Sequence, residues 1–329
     1  MNLIFDTNYI LHKNVQVLHS MGTLYGDFHT MLNNNINRFV SMNTWDNVYI
    51  VSDSKKKSWR QKDLDDDYKG TRTKNQDIDW KWVYSEYDEF KNDMKEKFHV
   101  LQKDHIEGDD WITALILKTN SLGQSNVVIS SDQDLLQLLK YSIEPGKTYI
   151  NIQIDDKLNK ERVFLPEGWN IWLKEFSNNR GGDVFNLDNS YDDVNFFNTV
   201  VQKFDNVEVN RYEQLLKKFV QGDKGDNVPC PYKTLTKTGK ERGIGKAGAE
   251  KIWKHYSENY EYFFDTDDES FPVNLTKSIE KVNKVKLSKS KFDTVVENIN
   301  SNIKLMELHY KNYPEWVLDE IIDSLNELF

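Results

Sequence analysis

The chain has 329 residues, of which 29% are charged and 38% hydrophobic, with a formal net charge of −10 and a pI near 5.3. No apolar run reaches the length of a membrane span, and the opening MNLIFDTNYI has no basic flank before an apolar stretch, so it is not a secretory signal. The single cysteine, Cys230, excludes an intrachain disulfide, and a reducing, cytoplasmic location is expected.

The N-terminal half alternates β-type runs with amphipathic segments. LIF (3–5) leads into Asp6 and a helix, and NVYIV (47–51) leads into Ser52 and Asp53. FHVLQ (98–102) precedes EGDDWITALI (107–116), whose Trp111, Ile112, Leu115 and Ile116 form one apolar helix face, with Asp109 as an expected cap. NVVIS (126–130) precedes Asp132 and Asp134, and YINIQI (149–154) reads as a further strand. Such alternation predicts an α/β domain with a mostly parallel sheet. Residues 54–97 interrupt it with a charged segment that is helical in its second half. Residues 155–210 are rich in Asn, Asp and Gly and give no clear pattern. From 211 the pattern is helical, over 211–221, 247–264, 291–310 and 315–329. The boundaries read from this are an α/β domain over 1–210 and a helical region over 211–329.

Charge is unevenly spread. Residues 54–74 hold eight Lys/Arg against four Asp, 233–254 hold seven against two acids, and 276–291 hold six against one. An acidic chain with such basic stretches can bind a polyanion, although each stretch alone also fits a solvated surface.

The acids fall in a pattern. Asp6, Asp53, the Glu107–Asp109–Asp110 group, and Asp132 with Asp134 each follow the apolar end of a different strand. In an open parallel sheet those ends share one edge, where sites form. Converging carboxylates repel and need cations. Oxygen donors with almost no His or Cys point to Mg²⁺ or Mn²⁺ rather than zinc. Two such ions about 4 Å apart can clamp a phosphodiester and generate hydroxide for in-line attack. The competing reading is an ordinary acidic first turn, which suits any helix N-terminus.

GDKGDN (222–227) adds Asp223 and Asp226, whose i, i+3 spacing puts both on one side of a helical turn. GIGKAGAEKIW (243–253) follows. Gly243 and Gly245 permit a tight turn that opens a helix, with Gly248 in its first turn and Lys246 and Lys251 adding charge, an arrangement able to hold a phosphate. A helix N-terminus with glycines for packing reads the same way.

These stretches, FD (5–6), VSDSKKKSWR (51–60), YKGTR (68–72), EGDD (107–110), SSDQDLLQL (130–138), GDKGDN and GIGKAGA, resemble in kind and order the motifs of the structure-specific 5′ nucleases: flap endonucleases, 5′-3′ exonucleases and the T-even-type phage ribonuclease H. The resemblance implies a PIN-like sheet with a helical arch over 54–97 and a helix-three-turn-helix module around 243–249. It implies a site of two Mg²⁺ or Mn²⁺ ions held by Asp6, Asp53, Glu107, Asp109, Asp110, Asp132, Asp134, Asp223 and Asp226. Lys57, Arg60 and Lys69 are implied to steady the scissile phosphate. Lys55, Lys56, Tyr68 and Arg72, with Gly243, Gly245, Lys246, Gly248 and Lys251, are implied to contact DNA. Tyr68 is read either as stacking on a base or as packing. A K⁺ ion at the glycine turn is a further implication.

The implied activity is 5′-3′ exonuclease or flap endonuclease cleavage of DNA or RNA–DNA hybrid, in primer removal or repair, by a monomer with no membrane contact. A single-strand-binding protein is an implied partner. The tail SLNELF (Ser324–Phe329) is similar to sliding-clamp peptides, with a packed helix end as the simpler reading. Rival readings are a PIN-type ribonuclease, which would lack the arch and glycine turn, and a catalytically silent DNA-binding protein, which would lack several acids. The chain departs from the family at PCPYKTLTKTGKER (229–242), which is longer and basic, readable as an added DNA contact or as a mobile loop.

Overall fold

The computed structural model describes residues 1–144, 147–148, 151–156, 161–167, 201, 204–236, 238–260, 266 and 268–329. Most of the stretch 155–210 therefore lies outside the described residues. Two compact units are present: the first is 1–58, 74–211 and 313–329, and the second is 59–73 and 212–312.

The first unit is built on β1 (Asn2–Asp6), β2 (Asn47–Val51), β3 (His99–Leu101), β4 (Asn126–Ile129), a short β5 (Ile143–Glu144) and β6 (Lys147–Thr148) pair, β7 (Asn151–Asp155), β8 (Arg162–Pro166) and β9 (Asp205–Val209). Seven of these form one sheet in the order β3-β2-β1-β4-β7-β8-β9. All neighbours are parallel except β7 and β8. The central strands are buried along their whole length, as expected where both faces of a parallel sheet are covered.

The crossovers are α1 (Thr7–Met21), α2 (Leu24–Val40), α3 (Trp80–Met94) and α4 (Gly108–Ser121). Gly22 ends α1 in the left-handed region at φ 74°, and Thr23 N donates to Leu18 O, closing the helix. The stretch 83–98, expected to be helical, lies mostly in α3, and its face of Val83, Tyr87, Phe90 and Met94 is buried in the core with Phe5, Phe28 and Phe39. Thus the second half of the 54–97 insertion is a packed core helix. The expected apolar face of α4 is buried as read, at 0–1% exposure for Trp111, Ile112, Leu115 and Ile116.

The second unit carries further elements among its described residues. They are α5 (Arg211–Gln221), whose first residue still belongs to the first unit, the hairpin β10 (Lys233–Leu235) with β11 (Glu241–Gly243), α6 (Lys246–Tyr260), α7 (Ser270–Asn283) and α8 (Lys289–Met306). Its core joins Leu216, Phe219, Ile252, Tyr256, Phe271, Leu275, Ile279 and Ile299. The buried Asn302 on α8 donates to Phe219 O at 2.9 Å and Pro229 O at 3.1 Å, stitching α8 to α5 and to the stretch before the hairpin. α9 (Glu315–Asn326) returns to the first unit. Leu325 is buried there, and Phe329, 45% exposed, has its ring 6.3 Å from that of Tyr49. Among the described residues no helix is long and apolar enough to cross a membrane.

Candidate metal centre and nucleic-acid interface

Register sets the first unit's site. Phe5 pairs with Ile50 and with Ile129, and Ile129 pairs with Ile154, so the residues that follow β1, β2, β4 and β7 emerge along one sheet edge. Asp6, the last residue of β1, is buried there. Its Oδ1 caps α1 by accepting from Tyr9 N at 3.2 Å, and its Oδ2 accepts from Ser130 Oγ at 2.6 Å. Burial, opposed by those two bonds and reinforced by the charges of Asp53 and Asp132, pushes its carboxyl up to about 7.

The other acids are placed by backbone bonds. Asp53 Oδ1 accepts from Gly108 N at 2.7 Å, and a Cβ on Gly108 would sit 3.2 Å from that oxygen. The glycine of EGDD therefore lets the start of α4 close onto Asp53. The cap of α4 is Glu107, where Asp109 was expected, and Asp110, fully buried, accepts from Glu107 N at 3.1 Å in a capping box. Asp109 is left half-buried in the same turn. Asp132 caps the 3₁₀ helix Gln133–Tyr141 by accepting from Asp134 N at 2.8 Å; Asp132 is exposed and Asp134 half-buried. Five of these acids thus have local structural duties as well, yet their charges accumulate at one edge. The donors are carboxylate oxygens, a set suited to Mg²⁺ or Mn²⁺.

Lys55, Lys56 and Lys57 are exposed in the same unit. Lys55 pairs with Asp88 and Lys56 with Asp104, each at 2.7 Å, exposed pairs that hold the lysines only weakly. The carbonyl of Lys57 lies 2.6 Å from His105 Nδ1.

In the second unit the acidic pair 222–227 is a hydrogen-bonded turn rather than a helical one. Asp223 and Val228 exchange both backbone bonds, at 2.9 and 2.7 Å, and Asp223 Oδ1 accepts from Gly225 N at 2.7 Å and Asp226 N at 3.3 Å. Burial opposes its charge, but Lys218 at 3.1 Å and those amides win and hold the Asp223 carboxyl below the usual range. Asp226 is buried and pairs with Arg72, while its carbonyl accepts from Lys69 N at 2.8 Å. Lys69 takes φ 57°, and its Nζ lies 5.2 Å from the Tyr68 ring centre.

Two expectations change here. Tyr68 is 5% exposed, sits in the second unit's core and donates to Asp226 Oδ2 at 3.3 Å, which is the packing alternative rather than base stacking. Arg60 is 2% exposed, with its guanidinium 4.4 Å from the Trp59 ring centre, so it offers no surface to a phosphate.

The glycine turn opens α6 beside a groove of about 360 Å³ lined by Arg242, Gly243, Gly245, Lys246 and Gly248 among others. Gly245, Lys246 and Lys251 are exposed and Gly248 is half-buried. The helix N-terminus and the two cations suit an anion. The Gly245 carbonyl already accepts from Gly248 N at 2.9 Å and Ala249 N at 3.0 Å, so it does not fit as a ligand for K⁺.

With these sites in place, comparison with known proteins is informative. Residues 1–164 match the family described as 5′-3′ exonuclease, N-terminal resolvase-like domain. The N-terminal part of the chain is thus similar to the N-terminal domain of the 5′-3′ exonucleases. Over the whole chain the fold is similar to that of three bacteriophage T5 structures. The D15 protein co-crystallised with metal ions is 16% identical with a TM-score of 0.57, covering 99% of each chain. The 5′-exonuclease with bound zinc is 17% identical with a TM-score of 0.53, again covering 99% of each. A D15 flap endonuclease variant, in a pseudo-enzyme–product complex with DNA and metal ions, is 16% identical with a TM-score of 0.57, covering 99% of this chain and 98% of that one. The fold is that of the 5′-3′ exonucleases and flap endonucleases.

The first unit also contains groups that carry no signal in the motifs above. Ser130 accepts from Asp132 N at 3.0 Å while donating to Asp6, and Gln153 Nε2 donates to Ser130 O at 3.1 Å and Asp132 O at 2.7 Å. Asp155 ends β7 and Asp156 follows it at the same edge, 4% and 5% exposed, and Asp156 accepts from Tyr9 at 2.7 Å and Lys13 at 2.6 Å. The signal for Asp155 was present: it follows an apolar run just as the other acids do. Beneath the edge, Thr7, Ser52 and Tyr87 form a buried hydroxyl cluster. Thr7 Oγ1 lies 2.9 Å from Ser52 Oγ, Ser52 Oγ lies 2.7 Å from Tyr87 Oη, and Thr7 and Tyr87 are also bonded.

Proposed function

We propose that this protein is a metal-dependent 5′ nuclease that cuts phosphodiester bonds at 5′ ends, flaps or RNA primers on DNA. The observation that carries the reading is the sheet edge at which Asp6, Asp53 and Asp132 lie, with Asp6 pushed up to about 7 by burial and, to a smaller extent, by the charges of Asp53 and Asp132. A protein gains nothing in stability from such crowding, whereas a cation relieves it.

Asp6, Asp53, Glu107, Asp109, Asp110, Asp132 and Asp134 would hold Mg²⁺ or Mn²⁺ in the first unit, and Asp223 and Asp226 offer two further carboxylates in the second. The bound ions would supply a hydroxide nucleophile at neutral pH and neutralise charge on the phosphate. The chain's own groups do the placing. Ser130 and Gln153 fix the β4 turn that carries Asp132, and Gly108 brings α4 onto Asp53. Lys57 and Lys69 are the remaining candidates for steadying the scissile phosphate, with Lys55, Lys56 and Arg72 holding adjacent phosphates. The start of α6, with Lys246 and Lys251, would grip duplex backbone through amides and charge.

The test is a 5′-flap duplex labelled at its 3′ end, incubated with Mg²⁺ or with chelator. Mg²⁺-dependent cutting near the junction supports the reading. Asp132→Asn should abolish cutting while duplex binding persists; native-rate cleavage by that variant would overturn the metal assignment. Tight binding with no cutting in Mg²⁺, or in Mn²⁺ supplied in its place, would instead assign the chain to the catalytically silent DNA-binding proteins.

A further inference from the structure

The stretch between the acidic turn and the glycine turn is an ordered hairpin with no core to serve. β10 and β11 pair antiparallel, Lys233 with Gly243, Thr234 with Arg242 and Leu235 with Glu241. Every residue of both strands is exposed, and Leu235 reaches 73%. A two-stranded hairpin with neither face covered is marginal by itself, so its order comes from its two ends.

At its base, Tyr232 is buried in the second unit's core. Cys230 Sγ accepts from Ile244 N at 3.2 Å, and its S–H faces the carbonyls of Tyr232 at 3.0 Å and Val220 at 3.2 Å. A Cβ on Gly243 would stand 3.0 Å from both Cys230 Cβ and Sγ, so glycine is what lets β11 close onto that anchor. At its tip, Thr236 N donates to Lys240 O at 2.8 Å, Lys240 N donates to Thr236 Oγ1 at 3.1 Å, and Gly239 turns the chain at φ 76°.

The charge on this arm is one-sided. Residues 233–242 carry Lys233, Lys237, Lys240 and Arg242 against Glu241 alone. Glu241 pairs with Lys233 at 3.3 Å across the ladder, an exposed pair that yields easily to a competing anion. Thr234 and Arg242 also line the groove at the start of α6, so the arm and the glycine turn form one continuous cationic surface.

We infer that the 233–243 hairpin is a second duplex-DNA contact, which carries the track of phosphate contacts outward from the glycine turn. The inference rests on the proposed reading of that turn as a duplex grip. A two-stranded ribbon matches the width of a major groove. The three residues of each strand, at about 3.3 Å each, give a reach of about 10 Å, or about three base pairs at about 3.4 Å rise. Lys233, Lys240 and Arg242 meet phosphates along that reach, and Leu235 sits against sugar and base edges.

The experiment compares wild type with K233Q/K240Q/R242Q, in chelator so that nothing is cut, on flap duplexes of 8, 12 and 16 base pairs over a salt series. Fluorescence anisotropy gives affinity, and cleavage in Mg²⁺ is followed separately. Each lost phosphate contact lowers the slope of log affinity against log salt by about 0.9, so the triple variant should lose up to about 2.7. Its affinity for the long duplexes should fall at least tenfold, and the gain in affinity that wild type shows on lengthening the duplex should vanish. The charge-preserving K233R/K240R/R242K should restore slope and affinity. If the glutamine variant keeps wild-type slope and affinity, the inference is overturned while the nuclease reading stands. If wild type itself binds no duplex, the reading of the glycine turn fails and the inference with it. Rescue that fails in the arginine variant, with its fold intact by circular dichroism, would overturn a charge-based contact.

Discussion

Replacing Asp6 by asparagine should stabilise the metal-free protein while destroying its activity. In the folded chain burial raises the Asp6 carboxyl to about 7, against the 3.8 of an exposed aspartate in the unfolded chain. Between those limits unfolding releases a proton, so stability falls as pH climbs through the window. At pH 8 the wild-type carboxylate is charged, buried and facing Asp53 and Asp132, at a cost of about 4 kcal/mol when the whole interval is converted at 1.36 kcal/mol per pH unit. The amide keeps an acceptor for Tyr9 N and avoids that charge. Urea unfolding in chelator should therefore find Asp6→Asn more stable than wild type by about 2–4 kcal/mol at pH 8. The gap should close as pH falls to 4. Mg²⁺ should raise wild-type stability more than that of the variant, and the variant should not cleave a flap. Equal stabilities at pH 8, or a gap that persists on acidification, would refute the reasoning.

Gly222→Ala should be severely destabilising. Gly222 has φ 70°, and a Cβ there would lie 2.5 Å from Val228 O and 2.6 Å from the Pro229 carbonyl carbon. A cost of about 3 kcal/mol is expected from conformation and clash together, and an unchanged thermal midpoint would contradict it. Tyr87→Phe removes one member of the Thr7–Ser52 cluster and should cost about 1–3 kcal/mol by denaturant titration, since two buried hydroxyls lose a partner. Asn302→Ala leaves the carbonyls of Phe219 and Pro229 short of a donor, with an expected loss of about 2 kcal/mol. Hydrogen exchange of the Phe219 and Val220 amides would locate that loss in α5.

The sheet was legible because its strands are buried on both faces and so read as short, unbroken apolar runs. The acids were legible for a related reason: an Asp at the end of such a run marks where a strand leaves the core. Asp155 follows the same rule but stands at the border of an unpatterned stretch, which hid it. Ser130 and Gln153 carried no local signal, since the bond of Ser130 to Asp6 depends on the pairing of β4 with β1 and those of Gln153 to the β4 turn on the pairing of β4 with β7. The cap of α4 was misplaced by two residues because three adjacent acids can each satisfy a helix N-terminus, and only the approach of Asp53 to Gly108 separates them. Tyr68 and Arg60 lie in a strongly basic stretch that reads as surface. Tyr68 is instead in the core of residues 212–312, a partnership that no periodicity within 54–74 encodes.

Residues 59–73 belong with 212–312, and 313–329 return to the first unit. During synthesis, then, neither unit can finish in the order in which it is made. Residues 59–73 emerge some 140 positions before the helices they pack with, and the strands of the first unit wait for α9 while 212–312 are translated. At about 5–20 residues per second that wait lasts about 5–20 s. Throughout it, Tyr49 and the outer face of α4 lack the partners that α9 brings, a window in which a chaperone has reason to engage the nascent chain.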